Sequence, residues 1–400
     1  MLCFLVGLRF CMWQSTKEMH KFFIVLLLVA STLYAEKKFK FTSFSRIFYD
    51  DNVFMRAAGT PNQTSTFYFS QSLGVEGKFF RDLINLKAQP EIRHRAVDGK
   101  TLMFGNIGIR GEYEITPKLT LDSSDSFSHL EREPTDLDDD LDVTYFMYKS
   151  SYTLTWKPRH LLKFKGGYEN HIKRWSENLP VGVGDELTNG DFTKDAFTFG
   201  AEQILGKRFI LELTGKKSFL DYSGIRGAID TDTYYTQFSY IMNPSTVIKI
   251  NYGIIDALIK DQYGALTEYS TPTYGGNITY FTEKGTVILL GTVYEVMDSS
   301  VAYWNMKENL KTSLMVKYPI TPKLEVNVMG AHLLTSYKDI GNRYNAGLKR
   351  EEEVFMSSIT FAWKYNENHY TEIGYQGLHL LNKDADVFKN KVFVGYRWNF

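Results

Sequence analysis

Arginine and lysine recur two residues apart in several stretches of the chain, as in Arg93-His94-Arg95 and Lys163-Phe164-Lys165. On an extended strand, positions two apart share a face, so such pairs line a common surface. Sorted this way, one set of faces carries Arg46, Lys87, Arg93, Arg95, Arg110, Lys163, Lys165, Lys173, Lys391 and Arg397. Lys149, Lys216, Lys249, Lys311, Lys317, Lys364 and Lys389 join them. The acids of the same faces are fewer: Glu91, Glu112, Glu114, Glu169, Glu202, Glu212, Glu325 and Glu372. A water-filled passage with a basic, low-dielectric wall concentrates anions and draws them in. The chemistry expected is therefore passage of small anionic solutes, acidic glycans among them, with Tyr145 and Phe393 placed to stack on sugar rings. The competing expectation is that these charges form salt-bridge ladders that hold a wall together.

Other chemistries find no support in the spacing. Beyond the N-terminal segment the histidines stand singly, at 94, 129, 160, 171, 332, 369 and 379, and no GxSxG, HExxH or P-loop pattern is present. Cys3 and Cys11 both precede residue 35, which removes disulfide, zinc-finger and thiol-nucleophile readings from any product starting after it. The acidic run at Asp136, Asp138, Asp139, Asp140 and Asp142 lacks the EF-hand spacing and reads as a solvated loop. No catalytic residue, metal ligand or cofactor is expected. With 46 basic and 46 acidic residues the chain lacks the basic excess of a nucleic-acid binder, and 44% hydrophobic and 15% aromatic residues exclude disorder.

The elements that must position the basic faces are strands. Residues 1–35 read as a signal peptide: His20 and Lys21 precede an apolar run from Phe22 to Leu33, and Ala35 precedes Glu36, with Met19 the expected start. From 36 to 400 one domain is expected, near neutral, with 43 basic and 45 acidic residues. Its period is two, in eighteen segments from 37–49 to 387–400 rich in Tyr, Phe, Thr, Ile and Val. Short turns, three of them built on proline in EITPKLTL, WKPRHLLKF and YPITPKLEV, alternate with longer polar loops. The segments from 119 and 286 sort poorly by period two, and bulges are expected there. An even strand number, one apolar and one charged face, and short turns opposite long loops predict an all-β fold. It is a transmembrane antiparallel up-and-down barrel of about 18 strands in a bacterial outer membrane, with both termini in the periplasm and lipid and lipopolysaccharide as surroundings.

Two short stretches carry resemblances. The chain ends KVFVGYRWNF, which resembles the terminal insertion signal of outer-membrane β-barrel proteins; Gly395, Trp398 and Phe400 match it, and the resemblance implies the barrel assembly machinery as a partner. The opening IFYDDNVFM is similar to the first strand and loop of a β-barrel porin family found beside exopolysaccharide or exosortase gene clusters. That likeness, carried by Tyr49, Asp50, Asp51, Asn52 and Val53, implies polysaccharide-export proteins as partners and export of a polysaccharide as a narrower function. Asp50-Asp51-Asn52 alone reads as a polar turn.

Overall fold

A computed structural model describes residues 39–52, 64–79, 83–131, 144–175, 191–222, 227–260, 264–298, 306–338, 350–382 and 386–400. The expected signal peptide and the acidic run at 136–142 lie outside them. The first strands are β1 (Phe39–Asp50), β2 (Thr66–Phe79), β3 (Ile84–Arg95), β4 (Thr101–Thr116), β5 (Leu119–Glu131) and β6 (Thr144–Arg159). There follow β7 (Leu162–Trp175), β8 (Phe192–Leu205), β9 (Phe209–Tyr222), β10 (Ala228–Asn243), β11 (Thr246–Lys260) and β12 (Leu266–Phe281). The last are β13 (Val287–Asp298), β14 (Met306–Pro319), β15 (Leu324–Lys338), β16 (Arg350–Lys364), β17 (His369–Asn382) and β18 (Asp386–Asn399). Every strand pairs antiparallel with its sequence neighbours, and β1 pairs with β18 from Thr42↔Asn399 to Asp50↔Lys391, so the sheet closes. All eighteen expected segments are present, with ends within three residues.

Closure leaves each strand one face outward and one inward. The outward face carries exposed apolar side chains such as Ile47, Phe69, Ile109, Phe199, Leu213, Ile250 and Val394. Aromatic rings band it at both ends. Trp156, Tyr280, Tyr318, Trp363, Trp398 and Phe400 lie near the short turns, and Phe67, Tyr234, Tyr252, Tyr274, Phe355 and Phe388 nearer the long loops. Such girdles mark the two interfaces of a bilayer around an apolar band. A cation on that band at mid-bilayer costs about 2–4 kcal/mol, which is why the bases are confined to the other face.

The seam between the first and last strands is reinforced by the Asp-Asp-Asn motif. Asp50, fully buried, receives Lys389 and Lys391 at 3.3 and 3.4 Å. Its Oδ1 also accepts the backbone N–H of Asn52 at 3.1 Å. Asp51 accepts two bonds of 2.6 Å from the backbone and side-chain amides of Asn390. Asn52 donates from its side chain to the carbonyl of Phe388 at 2.8 Å. The motif keeps the local turn, in the bond from Asn52 N–H to Asp50, and adds a clasp across more than 330 residues of sequence.

The wall departs from regularity at β12–β13. Pairing runs only from Phe281↔Val287 to Tyr274↔Tyr294, while β13–β14 continues unbroken to Asp298↔Met306. Val296 and Met306 have outward parity, yet they pack with Leu220, Tyr222, Ile229, Ala257 and Ile259 of the inner face. Tyr269, inward on β12, donates to Glu308, which also has outward parity. The ends of β13 and β14, at Val296 and Met306, therefore lean into the lumen and lie against the inner side of β9–β12. This replaces the bulge expected in the segment from 286. In the segment from 119 the β5–β6 register is unbroken, and the expected irregularity falls at its start against β4, where the register shifts between Glu114↔Thr120 and Thr116↔Leu119. There the pattern is blurred because outward Asp125 accepts from the phenols of Tyr148 (2.8 Å) and Tyr152 (3.4 Å).

Candidate functional site

Cross-strand partners followed around the barrel place every base of the sequence-derived set on the inner face. Lys163 opposes Glu202, which opposes Glu212; Arg110 opposes Ser124; Lys87 opposes Glu76; Arg46 opposes Ser70, which opposes Arg93. The sequence thus located the wall. It located six of the counter-charges as well, Glu91, Glu169, Glu202, Glu212, Glu325 and Glu372.

Most of these bases are paired. Arg93 meets Glu91 at 3.1 Å, Lys163 meets Glu202 at 2.6 Å, and Lys165 reaches both Glu202 (3.2 Å) and Glu212 (3.1 Å). Lys216 meets Glu169 at 2.6 Å, Lys317 meets Glu325 at 2.9 Å, and Arg397 meets Glu372 at 3.2 Å. Lys87 stands 3.7 Å from Glu76, and Arg95 is clamped by Asp98 at 2.5 Å. Glu76, Asp50 and Asp98 were absent from the sequence-derived acids. Asp50 ends its strand beside the seam, and Asp98 sits in the β3–β4 turn, where face assignment by parity stops. Held by the Arg95 guanidinium, the Asp98 carboxyl titrates near pH 2, below the ordinary carboxylate range. The salt-bridge ladder is thus real for this part of the wall.

What remains is a smaller basic set. Arg110, Lys149, Lys249 and Lys311 make no ion pair or hydrogen bond among the described residues. Arg46 lies between two rings, its guanidinium 4.6 Å from the centres of both Phe44 and Phe393, and its Nε is buried without an acceptor. Nearby Glu91 and Glu372 are engaged by Arg93 and Arg397. Cation–π contact fixes the Arg46 guanidinium between the two rings and sets its charge in the inner wall. The expectation that Tyr145 and Phe393 stack on sugars meets an obstacle. Both are buried, Tyr145 beneath Lys173 (4.4 Å) and Phe393 beneath Arg46.

The terminal residues also take definite places. Trp398 and Phe400 point outward with their rings tilted against each other at 4.9 Å, and Phe400 stacks on Phe41 of β1 at 5.8 Å. Gly395 faces inward opposite Arg46, and a Cβ there would come within 2.8 Å of the Phe44 ring that Arg46 rests on. Among the described residues no group of three or more His, Cys, Asp or Glu could hold a metal ion. His332 and His379 face the lipid side, each 2.7 Å from a carboxylate, Glu353 and Asp386. They stack with Phe355 and Phe388 in one row across β15–β18.

A closed eighteen-stranded antiparallel barrel, apolar outside and charged inside, defines an outer-membrane barrel of porin architecture. Solved structures place it among particular barrels: Pseudomonas aeruginosa OccK2 (OpdF) in complex with glucuronate is similar over 91% of this chain and 96% of that one, at 12% identity and a TM-score of 0.50. A BenF-like porin from Pseudomonas fluorescens Pf-5 is similar over 91% and 99%, also at 12% identity and 0.50. Pseudomonas aeruginosa OpdO matches over 91% and 98%, at 11% and 0.50. This likeness is one of fold. No family model matches the chain, and no curated protein matches its sequence.

Proposed function

We propose that the protein is an outer-membrane, porin-like channel that passes small solutes and prefers anions. The observation that carries this reading is Arg46, an arginine on the inner wall whose neighbouring acids are already engaged and whose buried Nε lacks an acceptor. Arg110, Lys149, Lys249 and Lys311, in no ion pair among the described residues, add positive charge to the same wall, against Glu112, Glu114 and Asp122, which are likewise in none. In a low-dielectric passage such charges raise the local anion concentration. OccK2, of the same fold, was solved with the anionic sugar glucuronate. Export of a polysaccharide is the narrower reading. The motif behind it, Asp50 to Asn52, serves the barrel seam here and says nothing of cargo. Insertion by the barrel assembly machinery through Gly395, Trp398 and Phe400, and a surrounding of lipopolysaccharide, complete the proposal.

The test is the reversal potential of the folded protein in a planar bilayer under a potassium chloride gradient. Replacing Arg46, Arg110, Lys249 and Lys311 together with Gln should reduce anion preference. Replacing Lys163 and Lys165 with Gln leaves Glu202 and Glu212 unanswered and should lower the preference as well. Unchanged selectivity in the first variant rules the mechanism out.

A further inference from the structure

The row of rings at His332, Phe355, His379 and Phe388 stands above a depression in the lipid-facing wall. Three cross-strand rows follow one another there. At the next outward rung below the rings come Gly330, Ser357 and Gly377, and below these Val328, Ile359 and Tyr375. Small residues between two rows of large ones make a trough, with a volume of about 560 Å³ that reaches across to Leu290 and Leu314 of β13 and β14. Gly330 leaves its floor open, since a Cβ there would meet no atom within 4 Å. At the other end the Tyr375 phenol closes it, lying 2.7 Å from where a Cβ on Gly377 would be and donating to Asn390 at 2.6 Å.

Depth decides what fills this recess. The longer loops of such barrels are extracellular, so the ring row belongs to the extracellular girdle and the trough to the outer leaflet just below it. Water is absent at that depth, and a recess left empty forfeits the contacts of its lining, so an acyl chain is the natural occupant. The rings above it select the headgroup. Nε2 of His332 donates to Glu353 and Nε2 of His379 to Asp386, both at 2.7 Å. An ionised carboxylate only accepts, so each imidazole spends its N–H there and, when neutral, keeps Nδ1 as an acceptor. Neither Nδ1 has a partner among the described residues. Phe355 and Phe388 beside them are exposed. Acceptors next to open aromatic faces suit a sugar with hydroxyl and amide donors, whereas two carboxylates repel a headgroup that is only a phosphate ester.

We propose that the trough is a binding site for lipopolysaccharide. One acyl chain lies along Gly330 and Ser357, and the acylated amino sugar that carries it rests on the row from His332 to Phe388. The site deepens the outer-membrane reading above and rests on its placement of lipopolysaccharide around the barrel.

Native mass spectrometry of the folded protein in detergent, titrated with purified lipopolysaccharide, tests this. Wild type should retain one molecule, and phosphatidylglycerol at equal concentration should not displace it. Gly330→Leu fills the floor and should need about tenfold more lipopolysaccharide for half occupancy, the loss of roughly two buried methylene groups. Gly166→Leu, outward on β7 with equally open space around its Cβ, controls for the added side chain and should bind as wild type does. His332→Leu with His379→Leu keeps the trough and should also weaken retention. Heat-dependent gel mobility confirms that each variant is folded. If Gly330→Leu binds like wild type, or phosphatidylglycerol is held as tightly as lipopolysaccharide, the wall carries ordinary boundary lipid only and the proposal fails. A dimer in place of the lipid adduct, lost in Gly330→Leu, overturns it in favour of a subunit contact. Retention is read without current, so failure of this site and failure of the channel reading are told apart.

Discussion

At the scale of single residues, the decisive feature of this wall is which charges lack an answer. Asp50 answers two lysines at once while buried at the seam. Asp50→Ala leaves Lys389 and Lys391 facing each other and removes the acceptor of the Asn52 N–H. Breaking a buried pair from one side costs on the order of 3 kcal/mol. The midpoint of urea unfolding in lipid vesicles should fall accordingly, and less for Asp50→Asn, which keeps an oxygen for Asn52. Asp98 makes the opposite kind of prediction. Its carboxyl is depressed to about pH 2 by Arg95, so its contribution is complete above the ordinary unfolded value near 3.9 and fades as pH falls toward 2. Thermal stability of the wild type and Asp98→Asn should thus converge in that acid window and stay apart at neutral pH. A gap between them that persists at pH 2 would show that the carboxylate's charge is not what stabilises the turn.

At the scale of elements, alternation alone sufficed to find the strands, because a lipid-facing side and a watery side impose period two on every crossing. It worked best where both solvents are present, as in β7, with Leu162 and Phe164 outward and Lys163 and Lys165 inward. It weakened where one solvent is missing. In β13 the outward-parity Val296 ends in an apolar cluster inside the barrel, a fact of tertiary packing that no local pattern records. In β5 the outward Asp125 is legible only with the phenols of β6 that satisfy it. The clasp at Asp50 to Asn52 was unreadable for the same reason: its partners lie at the other end of the chain. It can be tested at this scale, since Asp51→Ala removes both bonds to Asn390 at the junction of β1 and β18. The folded form should then lose its resistance to detergent at a lower temperature in a gel-mobility assay, whereas the same change at a rim acid such as Asp386 should not match it. Equal losses at the two positions would mean that the clasp adds nothing to closure.

At the scale of the whole molecule, equal numbers of acids and bases conceal a sorting by place. Some acids stand on the outer rim of β9–β12 and others pair with most of the inner bases, so the field of the lumen rests on a few unpaired groups, Arg46, Arg110, Lys149, Lys249 and Lys311 against Glu112, Glu114 and Asp122. A field from sparse charges in a wide passage acts at a distance and is exposed to screening. The Debye length is about 10 Å at 0.1 M salt and about 3 Å at 1 M. If selectivity comes from this field, the anion preference measured by reversal potential should be clear at 0.1 M and should largely vanish when both baths are raised toward 1 M at a constant ratio. Arg46 differs from the others in being fixed between two rings, so its charge holds one place in the wall. A preference that persists at 1 M in the wild type but vanishes in Arg46→Gln would assign selectivity to that one position; persistence in both would place it outside the inner-wall charges altogether.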